Sequence, residues 1–209
     1  DDLEIRWNKK IVRFTDGRTP LQVAEEKKLI PNSLAAPCSH FLKQIPFKKF
    51  LESHDKPVTV HLGLDFTEQH RHGKPKEIYE GIEGVSVDFP LMWKPYAYMG
   101  YQKVVEEWGI KPPRLYSYGF PHNNCGGRCV RQGASEWIRL LKHFPERFKE
   151  VKDWEKENQT PDTPRENRTI LKQSVDGTFQ PLSLEILEQQ NQTTQIDMFT
   201  YQGDEIGKS

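Results

Sequence analysis

Two short apolar runs limit the folds open to this chain. The first is Val58-Thr59-Val60-His61-Leu62-Gly63-Leu64-Asp65, bounded by Pro57 and by charged residues. The second is Val85-Ser86-Val87-Asp88-Phe89. Each is rich in β-branched residues and too short for a helix, so each predicts a buried strand. The chain around them carries helical patterns. Strands that alternate with helices predict an α/β class, with a parallel sheet flanked by helices. Open sheets of that kind take ligands at the C-terminal ends of their strands, here Gly63 to Glu68.

The rest of the chain fits around this frame. Leu3 to Phe14, with Ile11-Val12-Arg13-Phe14, predicts a strand or hairpin. Thr15 to Arg18 is a turn, and Thr19 caps a helix that opens at Pro20 and runs to Lys28. Pro31-Asn32-Ser33 breaks the chain. A second helix, Ser39 to Ser53, contains Pro46, which should kink or split it. Gln69 to Glu80 is charged, holds Gly73 and Pro75, and predicts a surface loop. Pro95 to Trp108 predicts a helix stopped by Gly109. Gly133 to Phe144 and Pro145 to Asn158 predict a helical pair. Asp176-Gly177 is a hairpin turn between Thr169–Val175 and Phe179–Leu182, and Ser183 caps a short last helix. The expected organisation is a main domain over 1–158, a linker over 159–168, a hairpin and helix over 169–188, and a frayed tail over 189–209.

Composition narrows the partners. The chain has 209 residues, 30 Lys+Arg and 30 Asp+Glu, so its formal net charge is zero. Zero net charge argues against a global electrostatic grip on nucleic acid or anionic membrane. The hydrophobic share is 35 %, yet 5 Trp, 7 Tyr and 11 Phe supply a core. No run approaches the ~18 apolar residues of a membrane span. The acidic start Asp1-Asp2-Leu3-Glu4 does not read as a signal peptide. Three Cys is an odd count that fits a reducing, cytoplasmic setting, and the Asn-x-Thr sequons at Asn158, Asn167 and Asn191 read as chance.

Three stretches carry chemistry. In Gly119-Phe120-Pro121-His122-Asn123-Asn124-Cys125-Gly126-Gly127-Arg128-Cys129, two thiols stand four apart across a Gly pair. Backbone N–H groups turned outward by glycines form a nest for an anion or a cluster sulfide. With Cys38, these thiols would hold a [4Fe–4S] cluster with one open iron. With His40 or His122 they would instead complete a Cys₃His zinc site. The plain alternative is three small buried apolar residues. The second stretch, Pro37 to Lys43, places Lys43 about one helical turn after Cys38, where it would meet a phosphate or simply be solvated. In the third, Gly63 to Arg71, Asp65 and Glu68 suit Mg²⁺ and Arg71 suits a bidentate phosphate contact, set against an ordinary polar loop. His70 and His72 read as exposed. Trp93, Tyr96, Tyr98 and Tyr101 read as core aromatics.

Taken in order, these stretches resemble the phosphoadenosine phosphosulfate (PAPS) reductase-like family of adenine nucleotide alpha hydrolase, or ATP pyrophosphatase, proteins. The matching residues are Pro37-Cys38-Ser39, Leu42-Lys43 and Pro46-Phe47, then Val60, Gly63, Asp65, Glu68 and Arg71. They continue through Gly109-Ile110, Pro112 to Tyr116, Gly119 to Gly127 and Cys129-Val130, and end with Trp137, Leu140-Leu141 and Pro145 to Phe148. The resemblance covers roughly Phe14 to Leu187. It implies a Rossmann-like parallel sheet with an adenine nucleotide such as ATP, with Mg²⁺, at its C-terminal edge. Lys43, Asp65, Glu68, Arg71, Asn123, Asn124, Gly126 and Gly127 would lie around that nucleotide. Related sulfur-transferring members hold an iron–sulfur cluster, which points again to Cys38, Cys125 and Cys129. The implied chemistry is sulfur transfer or adenylyl-type activation, with nucleic acid only as a substrate for modification. The family's Ser-Gly-Gly-x-Asp-Ser pyrophosphate loop is not among these residues and is expected upstream of Cys38, before Asp1. The first βα unit is therefore expected from a longer polypeptide or a second chain, unless ATP hydrolysis has been lost and the chain serves as an assembly subunit. No thiol follows Cys129, so reduction of PAPS itself is not expected.

Overall fold

The computed structural model describes residues 2–92, 100–161 and 168–193. They belong to two compact units. The first comprises Asp1–Gly17 and Phe41–Pro112; the second comprises Arg18–His40 and Pro113–Ser209. The architecture is mixed α/β, and one of its sheets is a two-stranded parallel pair.

The first unit is built around that pair. Strand β1, Val58–His61, runs parallel to β2, Val85–Asp88, in the register Val58↔Val85 to His61↔Asp88. The helix Gly73–Glu80 connects them, where the sequence predicted a surface loop. Pro75 sits in the helix's first turn, where no N–H is needed, so it does not break the helix. Tyr79 anchors the helix: it is buried and meets Phe47 edge-on at 5.4 Å. Val60, Val85, Val87, Phe89 and Leu51 complete this core. The strands are buried on one face only, against the expectation of fully buried strands. Thr59, His61 and Ser86 are exposed on the other face. There the Thr59 and Ser86 hydroxyls pair at 2.9 Å.

Pro46 acts earlier than expected. His40–Gln44 forms a π-helical turn, and a regular helix follows over Ile45–Glu52 with Pro46 in its first turn. Proline lacks the N–H that would continue an α-ladder back across the preceding turn, so the irregularity falls there and Ile45–Glu52 stays regular. The predicted N-terminal strand or hairpin is absent among the described residues. Asp2–Trp7 is helical, and residues 8–14 form no strand. Glu4 explains this: its carboxylate accepts the Ile11 N–H at 2.7 Å and both Arg13 amino groups at 3.1 and 3.2 Å. A side chain thus takes the backbone bond that a strand partner would have made. Of the helix predicted over 95–108, Tyr101–Glu107 is present and ends at Gly109 with φ +70°. Residues 95–99 of that prediction lie outside the described residues.

The second unit follows its sequence signals closely. Thr19 caps the helix Pro20–Glu26, whose Val23 and Ala24 are fully buried. Helices Ala134–His143 and Pro145–Asn158 pack as the predicted pair. Strands β3, Leu171–Val175, and β4, Thr178–Leu182, form the predicted hairpin. Its turn needs two left-handed residues, and Asp176 and Gly177 supply φ +49° and +76°. A helix over 184–193 follows, with the Ser183 hydroxyl accepting the Ile186 N–H at 3.2 Å. The hairpin and this helix were expected as an appendage. Instead Ile170, Leu171, Leu182, Leu184 and Leu187 share one core with Trp137, Leu140, Phe148 and Val151.

One buried carboxylate ties that core together. Glu155 is 1 % exposed. Its two oxygens accept the Ile170 and Leu184 N–H groups, each at 2.7 Å. Glu155→Gln puts an amide NH₂ against one of these N–H donors and is expected to cost about 1–3 kcal/mol in chemical denaturation. Burial raises the Glu155 pKa above its ordinary 4.5, against the lowering effect of the two N–H bonds. A raised carboxyl contributes stability that is complete below pH 4.5 and lost as pH climbs through the folded value. This decline should be missing from the stability–pH curve of Glu155→Gln.

Candidate functional site

The residues singled out by sequence fall into both units. Lys43, Asp65, Glu68 and Arg71 belong to the first; Cys38, Asn123, Asn124, Cys125, Gly126, Gly127 and Cys129 belong to the second.

In the first unit the polar residues gather beyond the C-terminal ends of β1 and β2. His61 and Asp88, the last residues of the two strands, approach at 3.5 Å between Nδ1 and Oδ2. Asp65 follows β1 and caps the 3₁₀ turn Phe66–Arg71. It is 6 % exposed. Its Oδ1 accepts the Thr67 N–H at 2.8 Å and the Thr67 hydroxyl at 2.6 Å, and its Oδ2 accepts the Tyr101 hydroxyl at 2.5 Å. The Thr67 and Tyr101 hydrogen bonds hold the Asp65 carboxyl below its ordinary range. Desolvation, and then the bond to Asp65, push the Tyr101 phenol up to about 12. Glu68 and Arg71 form an ion pair with each other. Lys43 is exposed on its π turn.

This geometry does not fit Mg²⁺ held by Asp65 and Glu68. Both Asp65 oxygens are already engaged, and Glu68 is committed to Arg71. Asp65 acts as a cap and as the anchor of Tyr101. Three further features escaped sequence reasoning. The His61–Asp88 pair had one signal, two polar residues closing two β-branched runs. Tyr101 was read as core but is 40 % exposed, with its hydroxyl turned to Asp65. Trp93, Tyr96 and Tyr98 lie outside the described residues. His72, read as exposed, is half-buried and stacks on Phe89 at 4.0 Å with 6° between the rings.

In the second unit, Asn124–Gly127 is a 3₁₀ turn. Cys125, Gly126 and Gly127 all have positive φ, at +50°, +62° and +86°. Three side chains hold the turn by its carbonyls. Arg128 Nε donates to the Cys125 carbonyl at 3.4 Å, Arg147 Nη1 to that of Gly126 at 2.9 Å and Gln132 Nε2 to that of Gly127 at 2.8 Å. Arg147 also lies over the Phe144 ring at 4.7 Å. Asn123 and Asn124 are exposed on the approach to the turn. A cleft of about 130 Å³ opens beside it, lined by Thr19, Pro20, Leu21, Cys125, Arg128 and Val151, among others.

Cys125 is exposed, whereas Cys38 and Cys129 are half-buried. Among the described residues, no three or more Cys, His, Asp or Glu side chains converge on a point suited to a metal ion. As placed among the described residues, the thiols are not gathered as a cluster or a Cys₃His zinc site would require. No described helix is long and apolar enough to cross a membrane.

Two measurements check this site. Tyr101 should titrate near pH 12 in phenolate absorbance, and Asp65→Asn should bring it back toward 10. A methyl group on Gly127 would lie 2.9 Å from Leu140 Cδ1 and 3.4 Å from Phe120 Cε1. Gly127→Ala should therefore cost about 2–4 kcal/mol in thermal unfolding, from the left-handed backbone and overpacking together. Gly126→Ala should cost less, because its nearest neighbour is the flexible end of Arg147 at 3.4 Å.

No family model, no curated protein and no solved structure matches the chain.

Proposed function

We propose that this chain binds an adenine nucleotide at the C-terminal ends of β1 and β2 and serves sulfur transfer or adenylyl-type activation, as its resemblance to PAPS reductase-like ATP pyrophosphatases implies. The observation that carries this reading is the parallel β1–helix–β2 unit with polar side chains gathered beyond its strand ends. Open α/β sheets place ligands at that edge because the strand ends and following turns leave polar groups unpaired by the sheet. Arg71 is the residue suited to the phosphates; it would exchange Glu68 for an incoming anion. Lys43, exposed on its turn in the same unit, is the other cation that the resemblance assigns to the phosphates.

A second reading makes the chain a non-catalytic nucleotide-binding or assembly subunit of a larger complex. The closed Glu68–Arg71 pair and the fully engaged Asp65 favour it, since neither carboxylate is presented for metal-assisted chemistry.

Calorimetry with ATP in magnesium buffer, followed by a pyrophosphate assay, separates the two. Nucleotide binding is expected, and Arg71→Ala should weaken it about tenfold, or ~1.4 kcal/mol. Binding with pyrophosphate release supports activation chemistry, and binding without release supports the assembly subunit. No heat of binding at millimolar ATP would remove the nucleotide from both readings.

A further inference from the structure

Cys125 and Cys129 have no part in the nucleotide reading, and the structure does not gather them into a metal site. They differ in a way that matters for sulfur chemistry: Cys125 is exposed and Cys129 is half-buried, and neither is in a disulfide. The Arg128 N–H donates to the Cys125 carbonyl at 3.2 Å and closes the chain into a turn between the two thiols. Such a closure brings its end Cα atoms within about 7 Å, and Cys129 is the next residue. A disulfide needs Cα atoms about 4.4–6.8 Å apart, and a single turn of backbone separates these two thiols. Gly126 and Gly127 lie between the thiols, the residue type best able to absorb that change. Cys125 also lines the cleft beside the turn, with Leu21 and Val151 as apolar wall and the Arg128–Glu150 ion pair among its other lining residues.

We propose that Cys125 and Cys129 form a thiol–disulfide exchange site whose substrate is a small-molecule disulfide entering this cleft. The Cys125 thiolate attacks one sulfur of the substrate; the substrate S–S bond breaks, a mixed disulfide forms on Cys125, and one thiolate leaves. The Cys129 thiolate then attacks Cys125 Sγ, the mixed disulfide breaks, and the second thiolate leaves. The products are a Cys125–Cys129 disulfide and two small-molecule thiols. Two electrons pass from the protein to the substrate, and the two protein thiol protons end on the released thiolates. Exposure sets the order: an external disulfide reaches Cys125, and the more sheltered Cys129 acts only within the chain.

Oxidised glutathione is the probe, applied to the full chain, with denaturing alkylation and peptide mass spectrometry as the readout. Wild type should lose two alkylatable thiols, Cys125 and Cys129, joined to each other, while Cys38 stays alkylatable. Cys129→Ser should stop at a stable glutathione adduct on Cys125. Cys125→Ser should slow oxidation of the remaining thiols at least about tenfold. Cys38→Ser should behave as wild type and guards against misfolding in the other two variants, whose circular dichroism is compared with it. Adducts spread evenly over the three cysteines, a wild-type adduct on Cys125 that never resolves, or no reaction at all would each overturn the proposal.

Discussion

The second unit depends on Glu155. A carboxylate at 1 % exposure is costly to bury, because water no longer solvates its charge. Here each oxygen receives one backbone N–H, from Ile170 before the hairpin and from Leu184 at the start of the last helix. Those two donors have no strand or helix partner of their own, so the carboxylate and the two amides satisfy each other. Thr169 adds to the same joint: its hydroxyl accepts the Leu182 N–H at 3.2 Å and donates to the Leu171 carbonyl at 2.5 Å. Outside this joint, Lys152–Glu188 at 2.6 Å and Lys156–Glu185 at 2.8 Å run between the same two helices in more solvated surroundings, where ion pairs contribute little. The hairpin and last helix are thereby fixed to Pro145–Asn158, the helix that also lines the cleft beside Cys125 through Val151.

The first unit solves a different problem. A two-stranded parallel sheet has little stability of its own, and it buries only one face here. The connecting helix and Leu51 close that face. The open face is left to polar cross-strand pairs, Thr59 with Ser86 and His61 with Asp88. Beyond the strand ends, Asp65 organises the following turn and reaches across to Tyr101. The polar groups that make this edge attractive for a ligand are thus also the groups that hold it in shape.

Much of the fold was legible where local chemistry decides. Thr19-Pro20 and Ser183 announced helix starts, Asp176-Gly177 a hairpin turn, and Gly109 a helix stop, because each solves a backbone problem within a few residues. The readings that failed were those in which a distant side chain intervened. Glu4 removed the N-terminal hairpin by taking the Ile11 N–H. Tyr79 made a helix of a charged stretch by reaching Phe47. Of the candidate site, the types of residue were legible and their engagements were not: Arg71 reads as a phosphate ligand until Glu68 is seen beside it, and Asp65 as a metal ligand until Thr67 and Tyr101 are.

The amino-acid sequence by itself determined the α/β class, the two parallel strands, the helical pair, the C-terminal hairpin and the residue types available for chemistry. All of these follow from periodicity, caps and turn residues that act over short chain distances. The tertiary structure alone decided which polar groups are spent on one another. It made Glu155 a buried joint, Asp65 a cap, Glu68 and Arg71 a closed pair, and Cys125 the exposed member of two unequal thiols. The physical reason is that burial and hydrogen bonding are settled by which groups meet in space, and those meetings span separations such as the 36 residues from Asp65 to Tyr101 that no local pattern encodes.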